Sequence, residues 1–224
     1  MTPLSLSADS VATQDEKLRD LLIRYFPELS PEKLCQFEKL AVLCKEWNEK
    51  INVISRKDID QININHILHS LSIAKFLKFT EGSVVIDLGT GGGFPGLPLA
   101  IMFPDVKFHL IDRIGKKLKV AENIAEEAGL KNVTFQHGDF SECKLKSDFI
   151  VSRAVMPQPD LVKLARKNIS PISRNALPNG LITLKGGELH DELKPVASST
   201  EVTDISNYFN EPYFKTKKIV YTQI

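Results

Sequence analysis

Apolar residues in the first third of the chain recur at helical spacing. Leu18, Leu21, Leu22, Tyr25 and Phe26 form one stripe, which Pro27 ends. Ser30-Pro31 then supplies a cap and a first-turn proline for a second helix carrying Leu34, Phe37, Leu40, Ala41, Cys44 and Trp47. These stripes read as core faces, with Trp47 packed among them rather than offered to a ligand. A third helix is predicted over 62–79. At Val84 the pattern changes to a short β-branched run, Val84 to Leu88, bounded by glycines and read as a buried strand. From there strand and helix alternate: helix 94–102, strand 106–111, helix 115–128 closed by Gly129, strands 133–137 and 148–152, helix 158–169, strand 181–185. Residues 201–209 and 217–222 follow as an antiparallel pair. Such alternation predicts an α/β fold whose parallel sheet carries helices on both faces and binds ligands beyond the strand C-termini. The expected organisation is a flexible tail over 1–13, a helical extension over 14–79 and a core over 80–224, one structural domain overall.

The densest chemical signal is the turn after the first predicted strand, Asp87-Leu88-Gly89-Thr90-Gly91-Gly92-Gly93-Phe94-Pro95-Gly96. Its glycines allow positive φ and a close backbone approach to a bound molecule. Gly91, Gly93 and Gly96 match the dinucleotide spacing, but Pro95 lacks an N–H where a pyrophosphate wants donors. Counted from Asp87, the run is acid-x-Gly-x-Gly-x-Gly, the arrangement by which S-adenosylmethionine methyltransferases hold the methionine part of their cofactor. Asp112 stands at the end of the next strand, where folds of this kind place the carboxylate that accepts ribose hydroxyls. A third strand ends in Gly138-Asp139-Phe140-Ser141, a corner suited to adenine: Asp139 accepts from the amino edge and Phe140 covers the ring.

The run Val-Ile-Asp-Leu-Gly-Thr-Gly-Gly-Gly-Phe-Pro-Gly-Leu-Pro-Leu-Ala, with Leu-Ile-Asp-Arg-Ile-Gly-Lys-Lys at 110–117, Val-Ser-Arg-Ala at 151–154 and Leu-Lys-Gly-Gly at 184–187, closely resembles the RsmG (GidB) family. Upstream, the segment Trp47 to Ser55 and the run His66-Ile67-Leu68-His69-Ser70 resemble that family's Trp-Asn-x-x-x-Asn-Leu and His-Ile-x-Asp-Ser elements. The resemblance spans about residues 30 to 190. It implies a class I (Rossmann-like) S-adenosylmethionine methyltransferase with a mostly parallel seven-stranded sheet. Its implied activity is methylation of guanine N7 in small-subunit (16S) ribosomal RNA, free or in the assembled small subunit, in the cytoplasm. Gly89, Phe94, Phe140, Ser141 and Arg153 match the family's cofactor contacts; Gly91, Asp112 and Asp139 join them from the logic of the fold. The chain departs from the family where His69 replaces Asp and where Asp139-Phe140-Ser141 replaces Arg-Ala-Glu.

Guanine N7 carries a lone pair and no proton, so a transfer to it needs alignment rather than a general base. Arg153, just past the fourth strand, is the candidate catalytic residue: it would bridge the methionine carboxylate or donate to guanine O6. A salt bridge to a neighbour such as Asp87 is the structural alternative. His66 is expected to order the N-terminal segment over the cofactor or to serve as a structural histidine. With His69 and His109 it makes no metal constellation.

Composition narrows the rest. The chain has 224 residues, 42% hydrophobic and 25% charged, with net charge +1, so any RNA binding must come from charge gathered on one face. Arg113, Lys116, Lys117 and Lys119, with Lys163, Arg166, Lys167, Arg174 and Lys185, either form that face or are simply solvated. Cys35, Cys44 and Cys143 form no CxxC pair and read as packed thiols of a reducing cytoplasm. The Ser-rich start does not read as a signal peptide, and no apolar run reaches the roughly 20 residues of a membrane helix. Nothing fixes an oligomeric state; a monomer is the simplest account. Two other functions fit the pattern: a methyltransferase-fold module that binds RNA or cofactor without turnover, and a methyltransferase acting on a small molecule or protein side chain.

Overall fold

The computed structural model describes residues 18–153 and 155–224. The expected tail at 1–13, residues 14–17 and Ala154 of the Val-Ser-Arg-Ala run lie outside them. The first apolar stripe folds as a helix over 18–25 (α1), and α2 (Pro31–Lys50) starts where expected, Ser30 accepting from the Lys33 amide. A short turn, α3 (Arg56–Ile59), follows. The predicted 62–79 helix is two pieces: a π-helical turn over Asn63–Leu68 and then α4 (His69–Phe76). In the π-turn the His69 amide donates to Ile64 O rather than to Asn65 O, its partner in a continuous α-helix. The Asn65 carbonyl is thereby freed from the ladder.

The strands are β1 (Val84–Leu88), β2 (Lys107–Asp112), β3 (Val133–His137), β4 (Phe149–Arg153), β5 (Gly180–Gly186), β6 (Thr200–Asp204) and β7 (Lys217–Gln223). Between them run α5 (Gly96–Met102), α6 (Gly115–Glu127), α7 (Gln158–Ala165) and α8 (His190–Leu193). They form one seven-stranded sheet in the order β3-β2-β1-β4-β5-β7-β6, parallel except that β7 runs against both its neighbours. In the last pair the strand expected over 201–209 ends already at Asp204, while its partner runs from Lys217 to Gln223. Ile205 and Phe209, four residues apart and both buried, turn the chain into the core after β6, where Phe209 packs on Tyr25 and Phe26. The predicted 158–169 helix likewise gives way at Arg166 to a 3-10 turn.

Helices cover both faces of the sheet. On one, α1, α2, α4, α5 and α6 share a single apolar core with it, Leu22, Phe37, Leu71 and Val120 joining Val85, Phe108 and Phe149. On the other, Leu161 and Ala165 of α7 pack on Ile86, Ile150 and Leu181. The strand order reverses between β2 and β4, on either side of β1, which opens a crevice at the strand C-termini. Among the described residues no helix is long and apolar enough to cross a membrane. Cys44 and Cys143 are buried, and burial pushes the Cys44 thiol up to about 12; Cys35, expected to be packed, is exposed.

Candidate functional site

The loop after β1 is tied to its neighbours by two carboxylates. Asp87, fully buried, accepts from Thr90 Oγ1 at 2.6 Å and from the Gly96 amide at 2.8 Å, while its Oδ1 has no hydrogen-bond partner among the described residues. Burial pushes its carboxyl up to about 7, against those two hydrogen bonds. Asp112 accepts from the Gly91 amide at 2.7 Å and the Ile114 amide at 2.8 Å. A carboxylate offers about four acceptor sites, so half of its capacity stays open toward a ligand.

The glycines have separate duties. Gly89 and Gly91 lie at φ +72° and +57°; a Cβ on Gly89 would sit 2.5 Å from Val155 Cγ2, whereas one on Gly91 would meet nothing within 4 Å. On Gly93 it would lie 2.4 Å from Leu97, and on Gly96 2.7 Å from Asp87 Oδ2. Gly96 lets α5 pack against β1 and β2, and Gly93 leaves room for the Leu97 side chain of α5 beside α6. Since the Gly96 amide is spent on Asp87 and Pro95 has none, the α5 N-terminus offers a pyrophosphate little. This removes the dinucleotide alternative.

Two clefts open side by side along the strand C-termini. The smaller, of about 240 Å³, is lined by Gly89, Asp112, Asp139 and Phe140 together with apolar Leu88, Ile111 and Met156. A mixed wall of this kind, with open acceptors at Asp112, fits a nucleoside. The larger, of about 430 Å³, lies at the ends of β4 and β5 and is walled by Asp58, Asn65, His66, His69, Arg153, Lys185, Glu192, Tyr213 and Lys217.

Among the described residues Arg153 forms no salt bridge, although the charges of Asp87 and Asp58 act on it. Its guanidinium donates to His66 Nδ1 at 2.8 Å and to the freed Asn65 carbonyl at 3.3 Å, and lies 5.4 Å from the centre of the Phe94 ring. The alternative salt bridge to Asp87 is not made. His66 must be neutral to accept from Arg153: burial, with the charge of Arg153, pushes it down to about 3. His69, four residues on and buried, is likewise held well below the ordinary histidine range by burial first and Arg153 second. Its Nδ1 lies 3.3 Å from the Tyr213 hydroxyl.

The structure thus gathers Gly89, Asp112, Asp139 and Phe140 in one cleft and puts Arg153 in the next. Phe94 lies buried against Arg153 and His66, and Gly91 is tied to Asp112. Ser141 is exposed and does not line the cleft: its amide caps onto Asp139 and its carbonyl accepts from Lys167. Asn65, Asp58, Tyr213 and Lys217 were not read from the sequence; the π-turn, α3 and the β5–β7 pairing bring them to one cleft with Arg153. Much of the basic face is spent internally: Lys119 pairs with Glu122, Lys163 with Asp160, Arg174 with Asp148 and Lys185 with Glu192. Upstream, Asn48 Oδ1 accepts from the Val53 and Ile54 amides, and a Cβ on Gly92 would lie 3.2 Å from Val53. The N-terminal segment therefore lies directly against the glycine loop.

Sheet order, glycine loop and strand-end carboxylate define a Rossmann-like, S-adenosylmethionine-dependent methyltransferase. Solved structures agree on the fold: an S-adenosylmethionine-dependent O-methyltransferase from Thermotoga maritima matches with TM-score 0.53 and 20% identity, over 81% of this chain and 71% of that one. A model of the family described as rRNA small subunit methyltransferase G matches residues 33–218. Proteins named ribosomal RNA small subunit methyltransferase G are 58% identical in Phocaeicola vulgatus, over 92% of this chain and 98% of theirs, and 57% identical in Bacteroides fragilis, over 91% and 99%. The chain belongs to that family.

Proposed function

We propose that the chain methylates N7 of a guanine in small-subunit (16S) ribosomal RNA, acting in the cytoplasm on free rRNA or on the assembled small subunit. The observation that carries this reading is the pair of adjoining clefts, one suited to a nucleoside and the other presenting an arginine without an acidic partner. S-adenosylmethionine, when bound, supplies a methyl group made electrophilic by its sulfonium. Gly89 and Gly91 would give it a close backbone approach, Asp112 would accept from the ribose hydroxyls, and Asp139 and Phe140 would hold the adenine, with Ser141 serving through its amide to fix Asp139.

The chain's own part in catalysis is alignment. Guanine N7 has no proton to remove, and two titratable groups beside Arg153 are otherwise engaged: Asp87 faces inward to Thr90 and Gly96, and His66 is occupied by Arg153. A guanidinium has five donor N–H groups, and the contacts with Asn65 and His66 leave others for the cofactor's carboxylate or guanine O6. Phe94 and the π-turn hold that fork in one orientation.

The test is to incubate purified protein with methyl-labelled S-adenosylmethionine and small ribosomal subunits lacking the modification, then to map the label. Label on N7 of one guanine is expected. Arg153→Ala should slow single-turnover transfer about 100-fold, and Arg153→Lys should not fully restore it, because a point charge cannot replace a planar fork. Intact binding of RNA and cofactor with no transfer would make this a binding module, and label on protein or on another RNA atom would overturn the assignment.

A further inference from the structure

We propose that Lys217 anchors a backbone phosphate of the RNA strand next to the target nucleotide. This rests on reading the larger cleft as the acceptor site. Lys217 opens β7 in register with Gly186 of β5, so the end of the sheet carries it into the cleft. Gly186 leaves it room: a Cβ there would lie 3.3 Å from both Lys217 Cδ and Nζ. The ammonium is held over the Tyr213 ring, 4.7 Å from its centre.

Among the described residues no carboxylate of the cleft pairs with this cation. Lys185 is neutralised by Glu192 at 2.9 Å. Asp58 stays ionised, held below the ordinary carboxylate range by the Ser55 hydroxyl at 2.6 Å and the Asn65 side-chain amide at 3.3 Å, but its charge acts on Arg153 and His66 rather than on Lys217. His66 and His69 carry no charge at neutral pH. Arg153 and Lys217 remain, and neither forms an ion pair among the described residues. Arg153 is a fixed fork at the inner end of β4, suited to a carboxylate or a base edge. Lys217 is a compact charge on a flexible stem, suited to a phosphodiester, which sets position but not sequence.

The neighbouring Lys218 supplies the control, since it is paired with Asp204 outside the cleft and its loss removes the same formal charge. Binding of the substrate RNA by the full chain is measured across a salt series for wild type, Lys217→Gln and Lys218→Gln. Lys217→Gln should lose roughly tenfold in affinity at about 0.1 M salt. Its plot of log affinity against log salt should flatten by about 0.7, the share of one phosphate on a single strand. Lys218→Gln should leave the slope unchanged. Acetylation footprinting of the wild-type protein gives a reading that no variant's folding can disturb: bound RNA should protect Lys217 and not Lys218. Equal slopes for the two variants, or an unprotected Lys217 in a complex that methylates its RNA, would overturn the anchor while leaving the methyltransferase reading intact. A wild-type protein that neither binds nor methylates the RNA would instead remove that reading, and the anchor with it.

Discussion

At the scale of single residues, the glycine loop separates what folding requires from what a ligand requires. Gly91 has a left-handed φ but open space on its Cβ side, so Gly91→Ala should cost about 1 kcal/mol of stability and act mainly on the cofactor's approach. Gly89 has a left-handed φ and Val155 at 2.5 Å, so Gly89→Ala adds a clash to the strain and should cost about 3 kcal/mol. Urea unfolding and S-adenosylmethionine titration of the two variants check this together. Gly91→Ala should fold nearly as well as wild type while binding cofactor much more weakly. Unchanged affinity would show that the ligand does not pass over Gly91.

At the scale of elements, the helical extension works as part of the sheet's core and as one wall of the larger cleft. Phe37 of α2 is fully buried in the same cluster as Phe108 and Phe149. Phe37→Ala should therefore cost about 3–5 kcal/mol and shift one cooperative transition. Far-UV circular dichroism and loss of cofactor binding should move together along a urea gradient; two separate transitions would mean that the extension folds apart from the sheet. The π-turn is the element that joins this wall to the chemistry. By withholding Asn65 O from the helix ladder, it gives Arg153 a neutral acceptor where an acid would have cancelled its charge.

For the molecule as a whole, the buried titratable groups set a pH dependence of stability. His66 is held near 3 and His69 well below its ordinary value, so between roughly pH 5 and 6 both are neutral in the fold and largely protonated in the unfolded chain. Asp87 runs the other way: pushed up to about 7, it keeps a proton in the fold that the unfolded chain has lost. Two protons favour unfolding and one opposes, so stability should fall by about 1.4 kcal/mol for each pH unit of acidification in that window. His66→Asn removes one of the two and should bring the slope close to zero. Urea midpoints at several pH values measure it, and a slope unaltered by the substitution would exclude His66 as a neutral, buried acceptor.

Much of this molecule was legible along the chain. The change from helical stripes to β-branched runs marked the strand–helix alternation. The acid-glycine loop with Asp112 marked a candidate nucleoside site, because both depend on local spacing and on backbone conformations that few residues allow. Gly89, Asp112, Asp139 and Phe140 were gathered from three strand ends by the parallel register alone. What the sequence could not supply was whatever depends on packing between distant segments. The π-turn within 62–79 has the composition of an ordinary helix, and its register is set by Arg153 and Tyr213, 88 and 148 residues further on, which bond the Asn65 carbonyl. The same holds for the larger cleft. Which cations stay unpaired there is decided by which acids the fold brings within reach, and Coulomb interactions depend on distance in space rather than along the chain.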